Sequence, residues 1–238
     1  METILEPAVY LVATPIGNLE DITLRAIRVL SSVDIIACED TRHSGMLLKK
    51  LNIVYKKLVS YHEHNESEKS GWLINSVLAG NSVAVISDAG TPLISDPGFK
   101  LVALAVENNV KVIPIPGASS FLTALSACGL SVHRFTFAGF APQKKGRNTF
   151  LRNILEIDNT VILFESCHRI EKLIDELFEL SGDSRKICVA RELTKMHEEF
   201  IRGNCSEIKD IIKSKKGLKG EIVVVLEGKN KDNKDVVC

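Results

Sequence analysis

Val83-Ala84-Val85-Ile86-Ser87-Asp88-Ala89-Gly90-Thr91-Pro92-Leu93-Ile94-Ser95-Asp96-Pro97-Gly98 passes from a β-branched run into a loop that holds two glycines, two prolines and two aspartates. Residues 99–107 follow with apolar side chains at helical spacing. A strand that feeds a loop and then a helix, repeated along a chain, implies parallel strands covered by helices on both faces, because each crossover returns the next strand in the same direction. Working outward, residues 9–14, 34–38 and 111–115 read as further buried strands, and 22–32, 44–51 and 67–78 as helices. The expected fold class is therefore α/β, with a parallel doubly wound sheet over residues 1–115. Beyond it, strands are expected at 135–140, 160–165, 186–191 and 221–227. A short strand at 198–202 would follow another directly, so the C-terminal domain is expected to hold a mixed sheet. Pro114-Ile115-Pro116-Gly117 interrupts the pattern. The expected organisation is an N-terminal α/β domain over 1–115, a C-terminal α/β domain over 116–228 and a polar tail over 229–238.

A chain of 238 residues has room for two such domains. Its 45% hydrophobic and 25% charged content, with mean hydropathy +0.10, excludes a disordered or fibrous polymer. No run approaches the roughly 18 apolar residues of a membrane span, and the N-terminus lacks a basic region followed by an apolar one. A cytoplasmic location and no membrane partner are expected. The six cysteines (Cys38, Cys128, Cys167, Cys188, Cys205, Cys238) show neither C-x-x-C nor regular spacing, which reads as reduced thiols. Thirty basic against thirty acidic side chains cancel, and a zero net charge by itself argues against a polyanion partner. Divided at residue 115, however, the balance is 10 − 13 = −3 and 20 − 17 = +3. Lys144, Lys145, Arg147 and Arg152 lie in residues 140–155 with no acid among them, and Lys213, Lys215, Lys216 and Lys219 form a second group.

Ligands of open α/β sheets bind beyond the carboxyl ends of the strands. The segments there are Thr14-Pro15-Ile16-Gly17-Asn18-Leu19-Glu20-Asp21, Glu39-Asp40-Thr41-Arg42, Tyr61-His62-Glu63-His64-Asn65-Glu66, the 87–98 loop, and Pro116-Gly117-Ala118-Ser119-Ser120. The chain has no G-x-G-x-x-G, P-loop or G-x-S-x-G run, which excludes the usual dinucleotide, nucleotide-triphosphate and serine-hydrolase signatures. The long glycine- and aspartate-bearing loop suits close backbone approach to a ligand. His62 and His64 at i, i+2 point to opposite sides of a strand and lack further ligands, so no metal is expected. In the second half, Leu163-Phe164-Glu165-Ser166-Cys167-His168-Arg169-Ile170 and Ala190-Arg191-Glu192-Leu193-Thr194-Lys195 place charged residues at strand ends, which points to a cleft shared by the two domains.

At these residues the chain resembles the tetrapyrrole methylase superfamily of S-adenosylmethionine-dependent enzymes, and within it the branch that modifies ribosomal RNA. The likeness runs from about Tyr10 to Gly228. It is carried by Ala13 to Ile22, Cys38-Glu39-Asp40-Thr41-Arg42, the 87–98 loop, Phe164-Glu165-Ser166 with His168-Arg169, and Ala190 to Lys195. The resemblance implies two α/β domains, a homodimer, and S-adenosylmethionine bound between the domains. The implied reaction is 2′-O-methylation of the ribose of cytidine 1402 in 16S rRNA, with the small ribosomal subunit as partner. Carried over residue by residue, the cofactor contacts are Pro15, Ser87, Asp88, Ala89, Gly90, Thr91, Ile94, Ser119, Ser120, Phe164, Glu165, Ala190, Arg191, Leu193 and Gly220. Members usually have proline where Cys167 stands, and many carry an extra helical segment beyond the second domain, where this chain ends at Cys238.

Methyl transfer to a hydroxyl is an in-line displacement, which needs alignment first and a base second. The candidates for catalysis are Glu39, Asp40 and Glu165, with Arg42 and Arg169 orienting or binding phosphate; Glu39, Arg42 and Glu165 form the expected catalytic set. The acid-free Gln143-Lys144-Lys145-Gly146-Arg147 loop is expected to bind RNA through Lys144, Lys145 and Arg147, with Arg169 beside it. The rival readings are a methyltransferase of the same superfamily acting on a tetrapyrrole, and a non-catalytic RNA-binding assembly factor.

Overall fold

The computed structural model describes residues 5–229. The expected tail beyond Lys229 lies outside the described residues. The chain divides between Ser119 and Ser120 into two compact units.

Unit 1 contains β1 (Val9–Val12), α1 (Leu24–Ser32), β2 (Ile35–Cys38), α2 (Thr41–Lys50), β3 (Leu58–Ser60), α3 (Glu66–Leu78), β4 (Val83–Ile86), α4 (Phe99–Glu107) and β5 (Val112–Ile115). The strands form one all-parallel sheet in the order β3-β2-β4-β1-β5. Successive residues of a strand point to opposite faces, and both faces are buried. Tyr10, Val12, Ile36, Cys38, Ala84 and Ile86 pack with Ala26, Val29 and Leu30 of α1 and Leu48 of α2. Val9, Ile35, Ala37, Val83 and Val85 pack with Leu73, Ile74 and Val77 of α3 and Leu101 and Ala105 of α4. This is the doubly wound sheet that the continuous β-branched runs require.

Unit 2 contains α5 (Ser120–Ala127), β6 (Phe135–Phe140), α6 (Arg147–Leu155), β7 (Thr160–Ser166), α7 (Ile170–Ser181), β8 (Ile187–Arg191), β9 (Glu199–Gly203), α8 (Cys205–Ser214) and β10 (Glu221–Leu226). Its sheet runs β6-β7-β10-β8-β9 and is mixed: β6 and β7 are parallel and the other pairs antiparallel. Val161, Leu163, Val189, Ile222 and Val224 face α6, α7 and α8. The opposite face carries Phe137, which stacks on Phe121 of α5 with ring centroids 4.7 Å apart.

Candidate active site

Unit 1 knits three loops together at the carboxyl ends of its central strands. Thr14, past β1, and Gly90, in the loop after β4, exchange backbone hydrogen bonds of 2.9 and 3.1 Å, and the Thr14 hydroxyl donates to Ser87 O at 3.2 Å. The Thr91 hydroxyl donates to Ala118 O at 3.1 Å, which ties in the loop after β5. A Cβ on Gly90, whose φ is +85°, would meet Ile16 at 3.3 Å, and one on Gly117 would meet Ala13 Cβ at 2.9 Å. Backbone this close needs glycine. Leu93 and Ser95 of the same loop sit at φ +72° and +67°, and Glu192 and Thr194 of unit 2 at +51° and +65°. Those are four of the seven non-glycine residues with positive φ among the described residues, so left-handed strain concentrates in two of the segments singled out from the sequence.

The adjacency of β2 and β4 brings four acids to one sheet end. Glu39 and Asp40 follow β2, Asp88 and Asp96 follow β4, and Asp40 N–H donates to Asp88 Oδ1 at 3.4 Å. Asp40 caps α2 by accepting from Arg42 N–H at 2.8 Å, and its carboxylate pairs with the Arg42 guanidinium at 2.9 Å. Those hydrogen bonds hold its pKa down to about 2. The Arg42 side chain stays 89% exposed, available to solvent-borne anions on its free edge. Glu39, Asp88 and Asp96 make no ion pair with the described residues. Burial, then the neighbouring Asp88, pushes the Glu39 pKa up; burial, then Glu39, pushes Asp96 up to about 6. His62 offsets part of the rise at Glu39, but no lysine or arginine among the described residues pairs with these acids, and a positively charged ligand would supply that partner.

Of the cofactor residues expected in unit 1, Pro15, Ser87, Gly90 and Ser119 are buried, Asp88 and Thr91 half-buried, and Ala89 and Ile94 exposed; Ser120, the first residue of unit 2, is half-buried. The structure adds Thr14 and Asp96. Asp96 was legible as the second aspartate of the 87–98 loop, but its neighbours Glu39 and Asp88 become visible only when β2 and β4 pair.

In unit 2, β10 runs antiparallel between β7 and β8, with Phe164 opposite Val223 and Val223 opposite Ala190. One end of the sheet therefore collects Phe164, Glu165, Ala190, Arg191, Leu193 and Gly220. Arg191 is held there by Nε–H donation to Lys219 O at 2.5 Å and by Glu199 at 3.5 Å. Gly220 has φ +93°, and a Cβ on it would collide with the Glu192 carboxylate. That carboxylate accepts from Lys195 at 2.9 Å and from Glu221 N–H at 3.0 Å.

Two expectations are corrected. The Glu165 side chain has no solvent exposure: Oε1 accepts from Ser166 N–H at 2.8 Å and Arg169 Nε at 2.6 Å, and Oε2 lies 2.9 Å from Arg147 Nη1. Enclosed by Arg147 and Arg169 and without solvent exposure, the Glu165 carboxylate has no face open to a substrate hydroxyl, so the structure does not bring it to the catalytic position expected of it. Arg147 is not a phosphate ligand either. Its side chain is 4% exposed and also pairs with Glu176 at 2.7 Å. Burial works against its charge, yet Glu176 and Glu165 hold its pKa above the ordinary guanidinium value. Its Nη1 donates to Pro142 O at 3.1 Å, and its N–H to Lys144 O at 3.3 Å, so Arg147 closes the loop that carries Lys144 and Lys145. Both lysines are exposed and make no ion pair with the described residues. Arg169, with a side chain 25% exposed, is committed to Glu165.

A family profile described as tetrapyrrole (corrin/porphyrin) methylases matches residues 8–209, across both units. The chain belongs to this methylase family. The methylase is 45% identical to the ribosomal RNA small subunit methyltransferase I of Haemophilus influenzae, over 99% of this chain and 84% of that protein. It is 49% identical to the protein of the same name from Mesorhizobium japonicum, over 92% and 75%. Its fold is shared with the uroporphyrin-III C-methyltransferase of Thermus thermophilus solved in complex with S-adenosyl homocysteine, with a TM-score of 0.61, 19% identity, and coverage of 92% of this chain and 97% of that one. The methylase is therefore an enzyme of the S-adenosylmethionine-dependent class. Its residues fit that cofactor: glycine-tight backbone after β1, β4 and β5 for close approach, and unpaired carboxylates for a ligand bearing sulfonium and ammonium charge.

Proposed function

We propose that the protein methylates the ribose 2′-hydroxyl of cytidine 1402 in the 16S rRNA of the small ribosomal subunit, working as a cytoplasmic homodimer. The observation that carries the methyl-transfer half is the cation-free group of Glu39, Asp88 and Asp96 beside the glycine-tight loops. The rRNA half is supported by the shared sequence over nearly the whole chain with proteins named for that substrate. When bound, S-adenosylmethionine supplies a methyl group already activated on a sulfonium. The chain's own task is alignment, worth several kcal/mol, followed by proton removal from the hydroxyl. Glu39 is the base: exposed, unpaired and shifted up towards the working pH, whereas Asp40 is held down by Arg42 and Glu165 is enclosed. Arg42, with its exposed guanidinium, orients a phosphate beside the reacting ribose. Labelled methyl transfer to purified small subunits, followed by mapping of the modified nucleotide, tests the whole reading. Label on cytidine 1402 ribose is expected; label on a base, on another ribose or nowhere overturns it.

Cofactor affinity should depend on pH through Asp96. A carboxyl with a pKa of about 6 is neutral below that pH and charged above it. A cationic ligand binds the charged form, so affinity measured by calorimetry should rise between pH 5 and pH 7.5 with uptake of the ligand coupled to proton release. Asp96→Asn should bind more weakly at pH 7.5 and lose most of that dependence. The linkage to folding has the opposite sense: a raised carboxyl pKa favours the folded state at low pH, and this contribution is lost as pH rises through about 6. Asp96→Asn should accordingly raise the melting temperature of the free protein at pH 7.5 and leave it nearly unchanged at pH 4.

A further inference from the structure

The β6 edge of unit 2 carries an aromatic ladder that the core does not account for. Phe121, Phe137, Phe164 and Phe140 follow one another with ring centroids 4.7, 5.1 and 5.1 Å apart. The ladder begins under α5 and ends in solvent, where Phe140 is 58% exposed. A local irregularity makes this possible. Phe137 pairs with Ile162, and regular pairing would set Phe140 opposite Glu165, on the other face of the sheet; a bulge between them sets it opposite Phe164 instead. Gly139, at φ +65°, allows the extra residue. The bulge thus turns a large ring outwards on the face that already carries Phe137 and Phe164.

The chain then enters the turn closed by Arg147, which presents Lys144 and Lys145 to solvent without an ion pair among the described residues. An exposed ring at the end of an aromatic ladder, followed directly by two unpaired cations on a fixed turn, matches the two chemistries of a single-stranded nucleic acid: a base face and a phosphate. An apolar protein surface would complement the ring and leave the lysines unanswered. Duplex RNA offers phosphates but keeps its base faces stacked inside.

We propose that Phe140 with Lys144 and Lys145 forms a docking surface for single-stranded RNA, in which an unstacked base lies on Phe140 and flanking phosphates meet the two lysines. This rests on the rRNA reading above and adds where the substrate strand is held and in what state. Phe140 and the lysines are binding residues, and Arg147 is the positioning residue behind them.

The test uses the full chain, a single-stranded 12-nucleotide RNA and the same sequence as a duplex. Phe140→Ala should weaken single-strand binding about 5- to 150-fold, the range for loss of one base–aromatic stack, and leave the salt slope as it was. Phe140→Trp should bind like the parent, whereas Phe140→Leu, which keeps an apolar side chain of similar bulk, should bind like Phe140→Ala. Lys144→Ala with Lys145→Ala should reduce the slope of log Kd against log salt by about 1.4, two phosphates at about 0.7 each on a single strand, with cofactor affinity unchanged. Equal affinity for duplex, full binding by Phe140→Leu, or an altered sedimentation coefficient for Phe140→Ala overturns the proposal, the last because a second copy of the chain would then be what covers the ring. If the parent protein methylates the small subunit while Phe140→Ala binds RNA normally, the docking surface fails and the rRNA reading stands. A parent protein that labels no rRNA removes both.

Discussion

Replacing Arg147 with methionine should lower the stability of unit 2 by about 3–5 kcal/mol, the cost of leaving one partner of a buried ion pair uncompensated. The guanidinium touches both Glu165, whose side chain has no exposure, and Glu176, and no solvent can take its place beside Glu165. Arg169 would remain on Oε1, leaving Oε2 buried without a cation. Hydrogen exchange of the β7 and α7 amides in the full chain measures the loss. Arg147→Lys should recover only part of it, since an ammonium lacks the fork that reaches Glu165, Glu176 and Pro142 O together. Pairing Arg147→Met with Glu165→Met should recover more, because the stranded charge is then gone. Unchanged protection in Arg147→Met would show that Glu165 does not depend on it. The same substitution should loosen the Lys144–Lys145 turn, so RNA binding should fall in Arg147→Met even under conditions where the unit stays folded.

Glu39→Gln should slow single-turnover methylation at saturating RNA and cofactor about 10²- to 10⁴-fold, the usual contribution of a general base. Three acids stand at or just past strand ends, and their surroundings separate them. Asp40 is bound to Arg42 and pushed down to about 2, which makes it a poor proton acceptor. Glu165 is enclosed. Glu39 stays open to solvent as a residue, makes no ion pair with the described residues, and is pushed up by partial desolvation and by Asp88. The parent rate should fall as pH drops through the raised Glu39 pKa, because only the ionised form accepts a proton, and the variant should lose that limb of the profile. The two roles given to Glu39 are read separately: loss of the base lowers the rate at saturation, whereas loss of its charge beside the cationic cofactor appears in cofactor affinity. A full single-turnover rate in Glu39→Gln would remove the role.

Much of the architecture is written locally. The runs at 35–38 and 83–86 are short, β-branched and buried on every residue, which only a sheet covered on both faces accommodates. The short strand at 199–203, directly after β8, announced the mixed sheet of unit 2. The loop with paired glycines and aspartates stood out as the expected ligand side, since those residue types have a backbone reason to be there. Net charge misled until it was divided, because a sum over 238 residues erases the difference between two units of opposite sign.

Ion pairing and titration were beyond reach for a different reason. The stretch around Arg147 contains no acid, so by sequence it is a free cation; its partners Glu165 and Glu176 arrive from β7 and α7 once the sheet and helices close. Asp96 is an ordinary aspartate until the pairing of β2 with β4 places Glu39 and Asp88 within its field. Phe140 reads as one more strand residue until a single bulge decides which face it takes. Sequence by itself determined the alternation of strands and helices, the family and the loops proposed to carry chemistry, because those depend on neighbours along the chain. Only the tertiary structure decided which charges are buried in pairs, which remain free and which ring meets solvent, because Coulomb energy, desolvation and exposure depend on neighbours in space.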